Sequence, residues 1–206
     1  MIITYHGKQF FKIEQGKTII AINPISKDSK LSDKPSRFGA GLALISVDHP
    51  DYNGVDTVTY GETIPFVISG PGEYEARGVT VSGVGIETVI DKQTYYNTVY
   101  TITLEGTTIV FLGALARELT APEREKIGLA DILFVPIGGG TVLDARAAYK
   151  LSVSLEPNII IPMDYTAESL KTFLKEDGGD VKPIDKLTVR KKDIEAREGD
   201  VVVLEY

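Results

Sequence analysis

The sequence has 206 residues, with 22 Lys and Arg against 29 Asp and Glu, for a net charge of −7. An acidic chain is poorly suited to neutralising phosphates, so a nucleic-acid partner is not expected. There is no cysteine and there are two histidines, His6 and His49, which excludes a disulfide framework, an iron–sulfur cluster, a Cys nucleophile and a three-imidazole zinc site within one chain.

No apolar run approaches the 18 residues of a membrane span, and residues 1–6 lack the basic and apolar regions of a signal peptide, so no membrane association is expected and the cytoplasm is the expected location. The length suffices for a core that needs no disulfide or metal to fold.

The first quarter reads as strands. Residues 2–5, 9–14 and 17–22 are short β-branched or aromatic runs, with Gln15-Gly16 as the turn between the second and third. Residues 25–37 are polar and read as a loop. Residues 42–47 are apolar except for Ser46, the pattern of a strand buried on both faces, and run into a loop or short helical turn at 48–54.

Further strands are predicted at 65–69, 79–84, 98–105 and 107–112, the last two joined by a Glu105-Gly106 hairpin turn. The period then changes. Residues 121–127 read as a helix capped by Thr120, with Pro122 in its first turn. A buried strand at 131–137 precedes an amphipathic helix at 143–155, then a strand at 158–163 and a helix at 167–175. Strands at 186–190 and 201–205 close the chain. No linker, repeat or low-complexity segment divides it, so one domain over 1–206 with an α/β layer architecture is expected.

Asp48-His49-Pro50-Asp51 is the one dense cluster of metal-capable side chains, at the end of a buried strand where α/β folds place their sites. The glycine-rich stretches at 70–75 and at Gly138-Gly139-Gly140 match neither a dinucleotide fingerprint nor a P-loop. They read first as tight turns, the second also as a weak candidate nest of N–H groups for an anion. Arg190-Lys191-Lys192, with Arg197, is interrupted by Asp193, Glu195 and Glu198 and reads as a solvated face. Tyr95-Tyr96 fits a pocket wall or hairpin packing, and His6 reads as a packed or surface histidine. No nucleophile elbow is present.

Several segments in order resemble one family. Residues 3–14, then Gly70-Pro71-Gly72-Glu73-Tyr74-Glu75, Asn97-Thr98-Val99-Tyr100, Phe111-Leu112-Gly113, Val135-Pro136-Ile137-Gly138-Gly139 and Ile161-Pro162-Met163 resemble the metallo-β-lactamase fold. Within it they look like the small Zn-dependent hydrolases with a Pro-Gly-Glu-Tyr-Glu segment. The resemblance implies an αββα four-layer sandwich and a hydrolytic metal centre.

The family's ligands do not carry over. Where the resemblance places His-x-His-x-Asp-His, this chain reads Val47-Asp48-His49-Pro50-Asp51-Tyr52. The family's Asp after the Leu-Gly strand end is Ala114, its C-terminal His is Asp164, and Thr88 stands where another His is usual. Lys8 and Asn23 replace an N-terminal His and an Asp. Val and Ala donate nothing, and a neutral Tyr is a poor ligand. Lys8 brings a cation to the place of a dication, where it can pair with Asp51 or Asp164.

No cofactor is therefore expected; any remnant metal site would use His49, Asp51 and Asp164, weakly, favouring Mg or Mn. The expectation is a degenerate relative of the hydrolases that works by binding a small molecule or a protein. The alternative is an active hydrolase of an ester, lactone or phosphoester, with a site rebuilt around Lys8, His49, Asp51 and Asp164.

Overall fold

The computed structural model describes residues 1–31 and 38–206, so the latter part of the polar loop expected at 25–37 lies outside the described residues. Among the described residues thirteen strands form two sheets.

The first sheet contains β1 (Ile2–Tyr5), β2 (Phe11–Gln15), β3 (Thr18–Ile22), β4 (Leu42–Ile45), β5 (Phe66–Ser69) and β12 (Lys186–Thr188), in the order β12-β1-β2-β3-β4-β5. The second contains β6 (Gly72–Ala76), β7 (Val79–Ile90), β8 (Gln93–Leu104), β9 (Thr107–Phe111), β10 (Ile132–Pro136), β11 (Ile159–Met163) and β13 (Asp200–Val201), in the order β13-β11-β10-β9-β8-β7-β6. Hairpins make β1–β2–β3 and β6–β7–β8–β9 antiparallel, whereas β3–β4–β5 and β9–β10–β11–β13 run parallel.

Alternation builds the core. Ile3, Phe11, Ile13, Ile20, Leu42 and Leu44 from the first sheet meet Val81, Tyr100, Ile102, Phe111, Phe134 and Ile161 from the second. The opposite face of the second sheet is covered by α1 (Ala121–Ile127), α2 (Ala145–Ser154) and α3 (Ala167–Asp177), which contribute Ile127, Ala148, Leu151 and Phe173 to a second apolar layer. Thr120, Asp144 and Thr166 cap these helices through N–H groups of the first turn. The outer layer over the first sheet is thin among the described residues. A 3₁₀ turn (Val55–Val58) and loop residues bring Val58, Phe38 and Ile25 over Ala21 and Ala43. The last helix, α4 (Lys191–Glu195), closes one end of the sandwich through Ile194.

Besides the strands expected at 186–190 and 201–205, which shorten to β12 and β13 with α4 between them, two segments depart from the sequence reading. The glycine-rich stretch at 70–75 is only partly a turn, because Gly72–Ala76 is the edge strand β6. Close backbone approach does occur there: a Cβ on Gly83 would lie 3.1 Å from the Cα of Pro71. The second departure is the β7–β8 hairpin, whose twelve-residue strands run well beyond the predicted 79–84 and 98–105. Its outer half carries Thr88, Ile90, Tyr95 and Asn97 over the strand ends described next.

Candidate functional site

The C-terminal ends of β3, β4, β9, β10 and β11 meet at one edge of the sandwich, where parallel strands leave room for a site. Lys8, in the turn after β1, joins them. Lys8, Asn23 and Asp164 all have left-handed backbone (φ 55°, 48° and 53°), conformations that side chains other than glycine adopt at a cost. Three of the strained positions therefore meet where these strand ends converge.

Lys8 Nζ lies 2.8 Å from Asp164 Oδ1. The Asp164 N–H donates to the Lys8 carbonyl at 2.7 Å, and the Tyr5 hydroxyl donates to that carbonyl at 2.8 Å. Gln9 Nε2 occupies the other Asp164 oxygen at 2.9 Å. Asn23 Nδ2 donates to Gln9 Oε1 at 3.2 Å and to Ser46 Oγ at 2.8 Å, while the Ser46 N–H donates to Asn23 Oδ1 at 2.8 Å. Gln9, Asn23 and Ser46 are buried. Their polar groups must be satisfied inside the protein, and this relay does so.

A second buried amide serves the other sheet. Asn97 Nδ2 donates to the Leu112 carbonyl at 3.0 Å and its Oδ1 accepts the Ala114 N–H at 2.8 Å. The Thr88 hydroxyl donates to the Ala114 carbonyl at 3.0 Å. Gly113, between these bonds, has φ 59°, and a Cβ there would collide with the Asn97 side chain and stand 2.9 Å from Ser46 Oγ.

Beside the relay the site is apolar. Val47, Tyr52 and Ala114 are buried together with Ile90 and Val142, and Tyr95 packs against them. Burial, followed by the nearby carboxylates of Asp164 and Asp51, pushes the Tyr52 phenol well above its ordinary range, so it stays protonated. His49 lies across the ring of Tyr95, centroids 5.5 Å apart, and its Nδ1 accepts the Asp51 N–H at 3.2 Å. The Asp51 carboxylate is 3.8 Å from that nitrogen and accepts the Ser29 hydroxyl at 2.5 Å.

The candidate residues thus separate into two pairs, Lys8 with Asp164 and His49 with Asp51. Among the described residues no group of three or more His, Cys, Asp or Glu side chains is placed to hold a metal ion, so His49, Asp51 and Asp164 are not gathered as a ligand set.

Gly138, Gly139 and Gly140 border the site: a Cβ on Gly138 would collide with the Asp164 carbonyl. Gly138 bridges to Asp144, and the Gly139 N–H is taken by the Leu143 carbonyl at 2.9 Å. With the first turns of α2 and α3 this loop lines an open groove of about 400 Å³. Asp144, Arg146 and Glu168 line it, and the Asp144 carboxylate already takes the α2 N-terminal N–H groups that an anion would use. The basic cluster is paired on its own face, Arg190 with Asp193 at 3.1 Å and Arg197 with Asp200 at 3.7 Å.

Gln9, Ser46 and Asn97 were not singled out as site residues from the sequence. Ser46 alone carried a visible signal, as the polar residue in an otherwise apolar strand.

A family model described as a beta-lactamase superfamily domain matches residues 2–164. The chain belongs to the β-lactamase superfamily. It is 25% identical over 194 residues to a metal-dependent hydrolase of the UPF0173 group from Thermococcus kodakarensis, covering 79% of this chain and 84% of that protein. A Thermotoga maritima structure ascribed to the Zn-dependent hydrolases of the metallo-β-lactamase superfamily superposes with a TM-score of 0.79 at 28% identity, over 99% of this chain and 98% of that one. A metal-dependent hydrolase from Parabacteroides distasonis shares the fold, with a TM-score of 0.66 at 16% identity over 98% and 93% of the two chains.

Superfamily membership implies a metal, and the residues at this β-lactamase-fold site do not fit one. Val47 and Ala114 supply no donor, the Tyr52 phenol is held neutral, and Asp164 already binds an ammonium and an amide.

Proposed function

We propose that this protein is a non-catalytic, protein-binding member of the β-lactamase superfamily, its hydrolytic centre replaced by a structural plug. One observation carries the reading: Val47, Tyr52 and Ala114, which stand where the resemblance puts metal ligands, are buried in one apolar cluster with Ile90 and Val142.

The polar remainder supports it. Lys8 and Asp164 neutralise each other, so the cleft offers no free cation to a small anion, which favours a protein over a small ligand. His49 Nδ1 accepts the Asp51 N–H at 3.2 Å, so that nitrogen is engaged within its own loop rather than turned toward Asp164. A hydrolase rebuilt on Lys8, His49, Asp51 and Asp164 would need both pairs to come apart.

The test is an ester, lactone and phosphodiester panel assayed with zinc, manganese and magnesium in turn. The expected result is no turnover above a blank. Turnover that His49→Ala or Asp164→Asn abolishes, with the fold intact, overturns the reading.

A further inference from the structure

Each sheet ends in two edge strands, and three of the four carry a deterrent to pairing with another chain. β12 is three residues long and begins with the exposed Lys186; β13 is two residues long and begins with Asp200. β6 exposes Glu73 and Glu75. Charge and shortness are the usual protections of an open edge.

β5 has neither charge nor cover. Residues 63–71 include no charged side chain, in a protein where a quarter of the residues are charged. Along this rim Phe66 is 50% exposed, Val67 42%, Ile64 70% and Tyr60 65%. β5 pairs with β4 on one side, and no described strand lies on the other.

The backbone sets the register of an added strand. The Phe66 N–H donates to the Gly41 carbonyl at 3.0 Å, and the parallel pairing of Leu42 with Phe66 and Leu44 with Ile68 turns the backbone groups of Phe66 and Ile68 toward β4. Alternation then turns those of Val67 and Ser69 toward the open edge. Pro65 offers no N–H one step earlier, which limits where an added strand can bond.

We propose that β5 docks a second copy of this chain, strand against antiparallel strand, about a two-fold axis at Ile68. Val67 of each copy then faces Ser69 of the other, and four hydrogen bonds use every outward N–H and C=O of both residues. Ile68 meets its own copy on the axis, and the two Val67 side chains lie diagonally across it. A strand without charge has nothing to select a charged partner, and it is self-complementary, as a two-fold interface requires. Copies that each carry −7 repel elsewhere but not at this rim. The inference does not depend on whether the cleft is catalytic.

The test is sedimentation velocity on the full chain from low to high micromolar concentration, with circular dichroism confirming each variant's fold. A reversible dimer is expected. Val67→Pro removes one outward N–H while leaving the β4 ladder intact, and Val67→Lys places two ammonium groups near the axis. Each is expected to weaken dimerisation about tenfold or more, whereas Tyr96→Ser, exposed on the other sheet toward the β7–β8 turn, leaves it unchanged. A chain that stays monomeric throughout overturns the proposal. So does a dimer that Val67→Lys leaves as tight as before.

Discussion

Lys8 and Asp164 are tied to each other twice, through an ion pair of 2.8 Å between their side chains and through the Asp164 N–H, which donates to the Lys8 carbonyl at 2.7 Å. The two residues are 156 positions apart in the sequence, and both hold left-handed backbone. The pair therefore pins the turn after β1 to the end of β11, joining the first sheet to the second at the edge where the superfamily carries its metal.

Breaking that pair leaves Asp164 facing only the Gln9 amide. The side chains are 24% and 11% exposed, so water compensates in part. Lys8→Ala is expected to cost about 1–3 kcal/mol in urea unfolding. The loss should be smaller in an Asp164→Asn background, because the partner charge is already gone. An additive cycle would mean the two charges do not couple.

Gly113 tests the second relay. Alanine there meets the Asn97 side chain and Ser46 Oγ while holding φ 59°. Gly113→Ala should destabilise by roughly 3 kcal/mol or more. Gly16→Ala, at φ 57° with open space around it, should cost only about 1 kcal/mol. Equal losses would show that backbone conformation, not the collision, sets the cost.

His6 gives a pH dependence with a definite sign. Burial, reinforced by Lys12, lowers its pKa from 6.5 to about 4. A folded value below the unfolded one means the neutral imidazole is favoured in the fold. That stability is fully present above pH 6.5 and is lost as pH falls toward 4. Because the ring keeps partial contact with water, the change should be about 1–2 kcal/mol. His6→Leu should flatten the profile across this window. It should leave untouched the lower window of Glu123, whose carboxyl Arg117 holds down at about 2.

Restoring donors should restore metal. Val47→His, Tyr52→His and Asp164→His together replace two apolar-cluster members and the lysine's partner with imidazoles. The triple variant should bind zinc more tightly than the parent, measured by competition with a chelator, and should melt lower than the parent without metal. No gain in affinity would mean these positions do not converge.

Much of the scaffold was legible because its strands are β-branched runs whose alternation survives in the sequence, as in β2, where Phe11 and Ile13 point inward. The outer halves of β7 and β8 were not, since the predicted strands stop at Val84 and begin at Thr98, short of the twelve-residue strands observed. The apolar cluster had a partial signal, since Val47, Tyr52 and Ala114 stand where the resemblance puts metal ligands. The relay beside them had none. Gln9 reaches Asp164 across 155 residues, and no local pattern marks Asn97 as the acceptor for Ala114. Lys8 had two carboxylates as candidate partners, and only the geometry places Asp164 against it.

Zinc content is the most direct test of the central claim, that this superfamily member has exchanged its metal centre for an ion pair, an amide relay and an apolar plug. Protein made in zinc-supplemented medium without a His tag, then dialysed, should hold far less than one equivalent of zinc, and EDTA should leave its melting temperature unchanged. Near-stoichiometric zinc that survives dialysis, with a melting temperature that falls by many degrees on chelation, would contradict the account.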